Sequence, residues 1–311
     1  FEDKIAPAPD NLLKERAFRE ALVDVAVEDF LGKDNKIYGL PLSVDSLSLY
    51  YNKDLLNAAG ITVPPSTWED LLQVSRRLNQ VDQFGNITQS GVALGTAYNI
   101  NRSTDVLTAL LFQLGSNLRT ASPGQLDLSD DNTKKALEFY TKFARIGSAY
   151  YSWNPLLHYS IDAFYEGTLA MMVNYSWHYA TLKQKNAKLN IGVAPLPQFS
   201  GTSPVNVANY WGFAVSKYEP YTSPPGQPEE VKVDQEKQNY LRVHESWQLL
   251  SFLGMPHPGK TITLQNGISG NTKEFSLSFD PAEKYLERTR KPAARRDLIA
   301  LEALILLEDA A

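Results

Sequence analysis

Cysteine is absent from the 311 residues, and histidine and methionine are scarce, at four and three. The first absence excludes disulfide staples, thiolate metal sites, iron–sulfur clusters and a cysteine nucleophile. His158, His178, His244 and His257 never form an H-x-x-x-H pair, so no single helix offers the usual zinc motif. A G-x-S-x-G nucleophile elbow is missing as well. Long apolar runs are lacking: Leu298 to Leu307 is broken by Glu302 and falls far short of the roughly 20 residues that span a bilayer as a helix. Basic charge is not in excess, since 30 Lys and Arg against 35 Asp and Glu give a net charge of −5. A nucleic-acid surface needs a basic stripe to neutralise phosphates, so DNA and RNA are not expected partners. Eighteen glycines and 18 prolines exclude a collagenous or low-complexity chain. No basic and apolar leader precedes Asp3, so any targeting segment is expected to have been removed or to lie outside this chain.

What is present is an apolar fraction of 43%, enough to build the core of one large or two ordinary domains. Helical and strand periodicities alternate along the chain, which is the mark of an α/β protein. Asn11 to Phe30 is mixed helical. From Tyr38 to Tyr51, Leu40, Leu42, Val44, Leu47, Leu49 and Tyr51 nearly alternate, as in a strand buried on one face. Thr67 with Asp70 starts a helix that carries Trp68, Leu71, Leu72 and Leu78. A second helix is expected over Asp131 to Arg145 and a third over Ile161 to Glu166, closed by Gly167. Thr168 to Asn174, Ile191 to Ala194 and Tyr210 to Ser216 have the pattern of strands. Lys217 to Gln238, with four prolines among polar residues, is expected to be a mobile surface loop. Tyr240, Val243, Trp247 and Leu250 then mark a helix that Gly254 and Pro256 end.

Gly254-Met-Pro-His-Pro-Gly259-Lys260-Thr261 satisfies the phosphate-loop pattern G-x-x-x-x-G-K-T. Two of its residues, Pro256 and Pro258, have no N–H to offer a phosphate, and a helix precedes the loop where a strand should. The match is therefore taken as chance. Asp45, Asp162 and Glu166 are the carboxylates from which a glycosidase pair could be drawn, and Asp45 with Glu166 is kept as the enzymatic alternative. A non-catalytic surface interaction protein is the other alternative. Aromatic clusters carry more information: Tyr150-Tyr151-Ser-Trp153, Tyr175-Ser-Trp177-His178-Tyr179 and Tyr210-Trp211 each lie beside Asn, Ser or Gly. Rings next to short polar side chains suit a sugar, whose C–H faces stack while its hydroxyls hydrogen-bond. Trp68 and Trp247 lie on helical stripes and are expected in the core.

Four runs stand out: Tyr38-Gly-Leu-Pro41, Leu49-Tyr-Tyr-Asn52-Lys53-Asp54, Pro64-Pro65-Ser-Thr67-Trp68-Glu69 and Ala163-Phe-Tyr-Glu-Gly167-Thr-Leu-Ala170-Met171 with Trp177 after it. Together they resemble the extracellular solute-binding proteins of ABC importers, of the maltose-binding-protein-like, bacterial family 1 type. Ile191 to Pro197, Trp211 to Ser216 and Pro292-Ala-Ala-Arg295-Arg296-Asp297-Leu298 extend the resemblance over most of the chain.

The resemblance implies an α/β fold of two lobes joined by hinge-crossing strands, with solute held in the cleft between them. Lobe 1 is expected from residues 1–43 and 210–291, and lobe 2 from 44–209 and 292–311, with crossings near Val44, Tyr210 and Pro292. Against the family pattern, the chain is expected to lack N-terminal strands of the first lobe and C-terminal helices. The implied role is high-affinity capture of an extracellular solute, most simply a mono- or oligosaccharide, for delivery to an ABC transporter permease, with no chemistry, cofactor or metal. Asp45 would accept hydrogen bonds from solute hydroxyls, Trp177 and Trp211 would stack on it, and Ser43, Tyr175, Tyr210 and Arg295 would form an outer tier. An acidic acceptor at Asp45 disfavours polyanions. The protein is expected to be monomeric and extracytoplasmic, in the periplasm or on the cell surface, with membrane association only through a segment outside this chain.

Overall fold

A computed structural model describes residues 3–116, 118, 127–217 and 229–299, with the side chains of the helix that starts at residue 229 described from residue 237. In chain order the elements are β1 (Ile5–Ala6), α1 (Glu15–Ala21), α2 (Asp24–Phe30), β2 (Leu40–Pro41), β3 (Asp45–Asn52), α3 (Lys53–Ala58), α4 (Trp68–Leu78), β4 (Gln80–Val81) and β5 (Ile87–Val92). Next come α5 (Ser103–Gln113), α6 (Asp131–Thr141), α7 (Ser160–Tyr165), β6 (Leu169–Tyr175), α8 (His178–Lys185), β7 (Ile191–Pro195) and β8 (Ala208–Asn209). The chain continues through β9 (Gly212–Phe213), β10 (Val215–Ser216), α9 (Glu229–Gly254), β11 (Thr261–Gln265), β12 (Thr272–Ser276) and α10 (Pro281–Thr289). It divides into two compact units: unit 1 from residues up to Asp45 and from Asn209 onward, and unit 2 from Ser46–Ala208.

Unit 2 is built on a sheet in the order β4-β5-β6-β3-β7, in which β5 and β6 run parallel and the other neighbours antiparallel. β3 is its central strand, with Leu49 opposite Val173 on one side and Ala194 on the other. The sequence suggests burial on one face, but both faces of β3 are covered. Leu47 and Leu49 pack with Trp68, Val92, Leu110, Phe143 and Met171, whereas Tyr50 packs with Trp153, Phe164, Met172 and Ile191. Two helical layers explain the difference, because α4, α5 and α6 cover the leucine face while α7 and α8 supply Phe164 and Leu182 to the other. Each leucine so buried stabilises the fold by about 1.5–3 kcal/mol.

Helix starts in unit 2 follow local chemistry. The Thr67 hydroxyl accepts from the Asp70 N–H at 3.1 Å, the Asn52 side chain accepts from the N–H groups of Asp54 and Leu55, and Asp130 caps α6 through Asn132 and Thr133. Each cap satisfies donors that the first turn leaves open. Gly167 ends α7 at φ +82°, a left-handed conformation suited to glycine.

Unit 1 joins two distant parts of the chain. Ile5 pairs with Ser216, Leu40 pairs with Phe213, and Phe18, Leu22, Val27, Ile37, Leu40, Val215 and Trp247 form one core. The Trp247 indole donates to the Ala6 carbonyl at 3.0 Å, tying α9 to β1. Tyr210 to Ser216 is not one strand: β9 and β10 are separate short pieces that pair with β2 and β1. Gly212 is required where it stands, since a Cβ there would lie 2.0 Å from the ring of Phe30.

Three expectations need correction or limitation. Residues 292–299 belong to unit 1, not to the second lobe, and no crossing near Pro292 occurs among the described residues. The Val44 N–H donates to the Pro292 carbonyl, the Val23 N–H donates to the Ala294 carbonyl at the same 3.0 Å, and Leu22 bridges Arg295. The observed divisions at residues 45/46 and 208/209 differ from the expected ones by one or two residues. The expected loop over Lys217 to Gln238 is helical from Glu229, where Glu, Lys and Gln favour helix strongly enough to outweigh the polar composition. Its residues 218–228 lie outside the described residues. The phosphate-loop match stands as argued, with helix α9 before it and strand β11 after it.

Candidate functional site

The end of β6 places the second aromatic cluster. Tyr175 is its last residue, the chain turns at Ser176 and Trp177, and α8 begins at His178. The Tyr50 hydroxyl fixes this turn from β3, donating to the carbonyls of Tyr175 and Ser176 at 2.9 and 3.1 Å. The Tyr175 and Trp177 rings stack with centroids 4.7 Å apart and an interplanar angle of 22°. Tyr175 is buried and its hydroxyl donates to Asp105 Oδ2 at 2.9 Å, while Trp177 is half-buried. Ring pairs in this offset arrangement contribute about 0.5–1.5 kcal/mol beyond their buried area, so the turn presents a rigid aromatic platform.

The start of α5 forms the wall beside that platform. Arg102, the residue before the helix, holds its guanidinium carbon 5.4 Å from the Tyr175 centroid and 5.2 Å from that of Trp177. The His178 ring lies 5.8 Å from Trp177. Its Nε2 is buried and, among the described residues, has no hydrogen-bond partner. Burial, and secondly the charge of Arg102, lower the His178 pKa from 6.5 to about 4, so the ring is neutral at neutral pH.

That shift has a consequence for acid stability. Between pH 6.5 and 4 the unfolded chain takes a proton on His178 that the folded chain does not, so stability is full above this window and falls as pH drops through it. Allowing for the ring's partial exposure, the loss is about 1–2 kcal/mol. Urea unfolding at pH 7 and pH 4.5 should show His178→Asn losing less stability than the unmodified chain; equal losses would remove His178 as the cause.

The other expected site residues fall in unit 1, apart from Tyr175 and Trp177. Asp45 is 3% exposed and is the last residue of that unit. Ser43 forms an isolated bridge with Ala293. Tyr210 donates to the Val25 carbonyl at 3.2 Å and to the Asp29 carboxylate, and its ring meets Phe30 edge-on at 5.9 Å. Burial and Asp29 both push the Tyr210 pKa above its usual value. Trp211 next to it is 84% exposed.

Arg295 is 4% exposed and fully engaged. Its Nη1 donates to both oxygens of Asp280 at 2.8 Å and to the Met255 carbonyl, while Nε and Nη2 grip Asp297 at 3.0 and 2.7 Å. Burial opposes its charge, but the two carboxylates outweigh burial and raise its pKa, and Asp297 is lowered in turn by the same hydrogen bonds.

Of the remaining candidates, Trp68, Trp153 and Trp247 are core residues. Glu166 pairs with His158 at 2.9 Å on the surface of unit 2, away from the Tyr175 turn in sequence and bonding. A hollow of about 870 Å³ in unit 1, between α9 and the β11–β12 hairpin, is lined largely by apolar side chains such as Leu249, Phe252, Ile262, Leu264 and Phe275. No cluster of three or more metal-ligating side chains occurs among the described residues. The residues that sequence reasoning missed are Tyr50, Arg102, Asp105 and His178. The available signal was Ser103-Thr104-Asp105, a polar and acidic first turn ahead of an apolar run.

Residues 5–223 match the model of the family described as bacterial extracellular solute-binding protein. The maltodextrin-binding protein MdxE of Bacillus subtilis (strain 168) is 29% identical over 196 residues, covering 60% of this chain and 43% of the relative. The chain thus spans less than half the length of the first curated relatives it matches. Among solved structures, the maltose/maltodextrin-binding domain MalE from Bdellovibrio bacteriovorus bound to maltotriose superposes with a TM-score of 0.61 at 17% identity, over 99% of this chain and 67% of that one. UgpB from Mycobacterium tuberculosis in complex with glycerophosphocholine gives a TM-score of 0.61 at 18% identity, over 98% and 64%. At these identities the structural likeness speaks for the α/β fold of the periplasmic-binding-protein type.

Proposed function

This chain belongs to the bacterial extracellular solute-binding proteins, and from that premise we propose that it captures a carbohydrate outside the cytoplasm and delivers it to the permease of an ABC importer. The observation that carries the proposal is the Tyr175–Trp177 stack, in which the buried Tyr175 ring, held through Tyr50, backs the half-buried Trp177 ring beside polar groups of α5. A pyranose offers C–H faces to such a surface and hydroxyls to its rim. Its relatives include a maltodextrin-binding protein and a galactooligosaccharide-binding protein, which supports a sugar as the solute. On this proposal Trp177 and Trp211 stack on solute, Asp45 accepts from its hydroxyls, and Ser43, Tyr175 and Tyr210 stand behind them. Arg295 acts as a positioning residue, because its donors are already spent on Asp280 and Asp297. The protein acts as a monomer and performs no chemistry on the solute.

Calorimetric titration of the 311-residue chain with maltooligosaccharides and galactooligosaccharides tests the proposal. Trp177→Ala should weaken binding of whichever sugar binds by about thirtyfold or more, since central tryptophans cost about 2 kcal/mol or more when truncated. Undiminished affinity in Trp177→Ala, or binding of no sugar, would defeat it.

A further inference from the structure

We infer that the saccharide taken at the Tyr175–Trp177 platform carries one anionic group, a carboxylate as in a uronic acid, and that Arg102 is the residue that selects it. The inference rests on the carbohydrate reading above and names the class of sugar.

Arg102 occupies a costly position. Its backbone is left-handed, φ 64° and ψ 26°, a region that side chains other than glycine and asparagine seldom adopt. It also stands at the N-cap of α5 and makes no side-chain cap bond there, where Ser, Thr, Asp or Asn would satisfy open N–H donors. A strained residue that fails to serve its own helix points to a role elsewhere.

Among the described residues the guanidinium has ring contacts and no carboxylate partner. Among the described residues Arg102 makes no ion pair and no side-chain hydrogen bond, and its Nε is buried without a partner. The nearest acid along the helix, Asp105, accepts from the Tyr175 hydroxyl instead. Three centroid distances of 4.7, 5.2 and 5.4 Å form a near-equilateral triangle, so the cation sits beside the ring pair and is not sandwiched by it. Its planar fork is therefore left to pair with a carboxylate in the bidentate geometry that guanidinium favours over ammonium. His178 contributes no competing positive charge at neutral pH, since burial, and secondly the charge of Arg102, keep it neutral. A neutral sugar would meet this cation with hydroxyl dipoles alone. A sugar acid would stack its ring on Trp177 and neutralise Arg102 in one pose.

The test uses matched pairs: cellobiose against cellobiuronate, which carries a single carboxylate, and glucose against glucuronate, with a hexose phosphate as a second anionic source. Calorimetry on the whole chain should give the acidic member at least about tenfold tighter binding, the scale of one charge-assisted hydrogen bond, and the preference should shrink as salt is raised. Arg102→Gln should abolish the preference. Arg102→Gly, which suits the left-handed backbone, should do the same without lowering the unfolding temperature, separating selection from folding. Tighter binding of the phosphate than of the uronate would keep the anion and Arg102 but overturn the carboxylate. Equal affinities within each pair, or an acid preference that survives both substitutions, would overturn the inference and leave the carbohydrate reading standing. Binding of no saccharide, neutral or acidic, would overturn both.

Discussion

Arg295→Met is expected to destabilise unit 1 by about 3–5 kcal/mol, the cost of removing one partner from a buried ion pair. The guanidinium is the hub of a network: Asp280, Asp297 and the Met255 carbonyl all receive its hydrogens. Asp280 itself is buried and caps α10 through the N–H groups of Ala282 and Glu283. Methionine fills much of the volume but leaves that carboxylate charged and unpaired in the interior. A second substitution separates charge from packing. Arg295→Met with Asp280→Asn keeps a capping side chain and removes the stranded charge, so it should recover about half of the loss. Urea-dependent hydrogen exchange of α10 amides reads unit 1 directly; a loss below about 1 kcal/mol would show that the network contributes geometry and little stability.

Trp68→Ala is expected to cost unit 2 about 3–5 kcal/mol. The ring is fully buried at the first residue of α4, meeting Phe139 edge-on at 5.7 Å and Phe199 at 6.3 Å. Its N–H donates to Gln113 Oε1 at 2.7 Å, and Gln113 in turn donates to the carbonyls of Pro197 and Val205. Truncation therefore opens a cavity and strands a buried amide oxygen. Trp68→Phe keeps most of the packing and should cost about 1–3 kcal/mol, the penalty for the orphaned acceptor. Hydrogen exchange of β3 and β6 amides would report the change. Protection that stays at the unmodified level in Trp68→Ala would contradict the central place given to this ring.

Much of unit 2 was legible because its elements announce themselves locally. Thr67 and Asp70 set the start of α4, Gly167 ends α7, and the run from Leu169 into Tyr175 is apolar enough for a buried strand. Helix α5 was hard to see: Val106, Leu107, Leu110, Leu111 and Phe112 obscure its period, Arg102 is not a capping residue, and the one local cue is its polar first turn, Ser103-Thr104-Asp105. With α5 unseen, the wall beside Trp177 could not be inferred. Helix α10 did carry a signal, Asp280 as cap with Pro281 and Glu283 behind it, which periodicity alone passes over. The placement of residues 292–299 depends on pairings with Leu22 and Val44, and no local pattern encodes partners that far away.

The order in which the two units are written along the chain has a consequence for how the protein is made. Unit 2 is one uninterrupted stretch, whereas unit 1 needs Ile5 to find Ser216 and Leu40 to find Phe213. A ribosome synthesises all of Ser46–Ala208 before either strand partner in unit 1. The inner unit can thus form from contiguous sequence, whereas Phe18, Leu22 and Leu40 have no complete core to enter until Phe213 and Ser216 have been added.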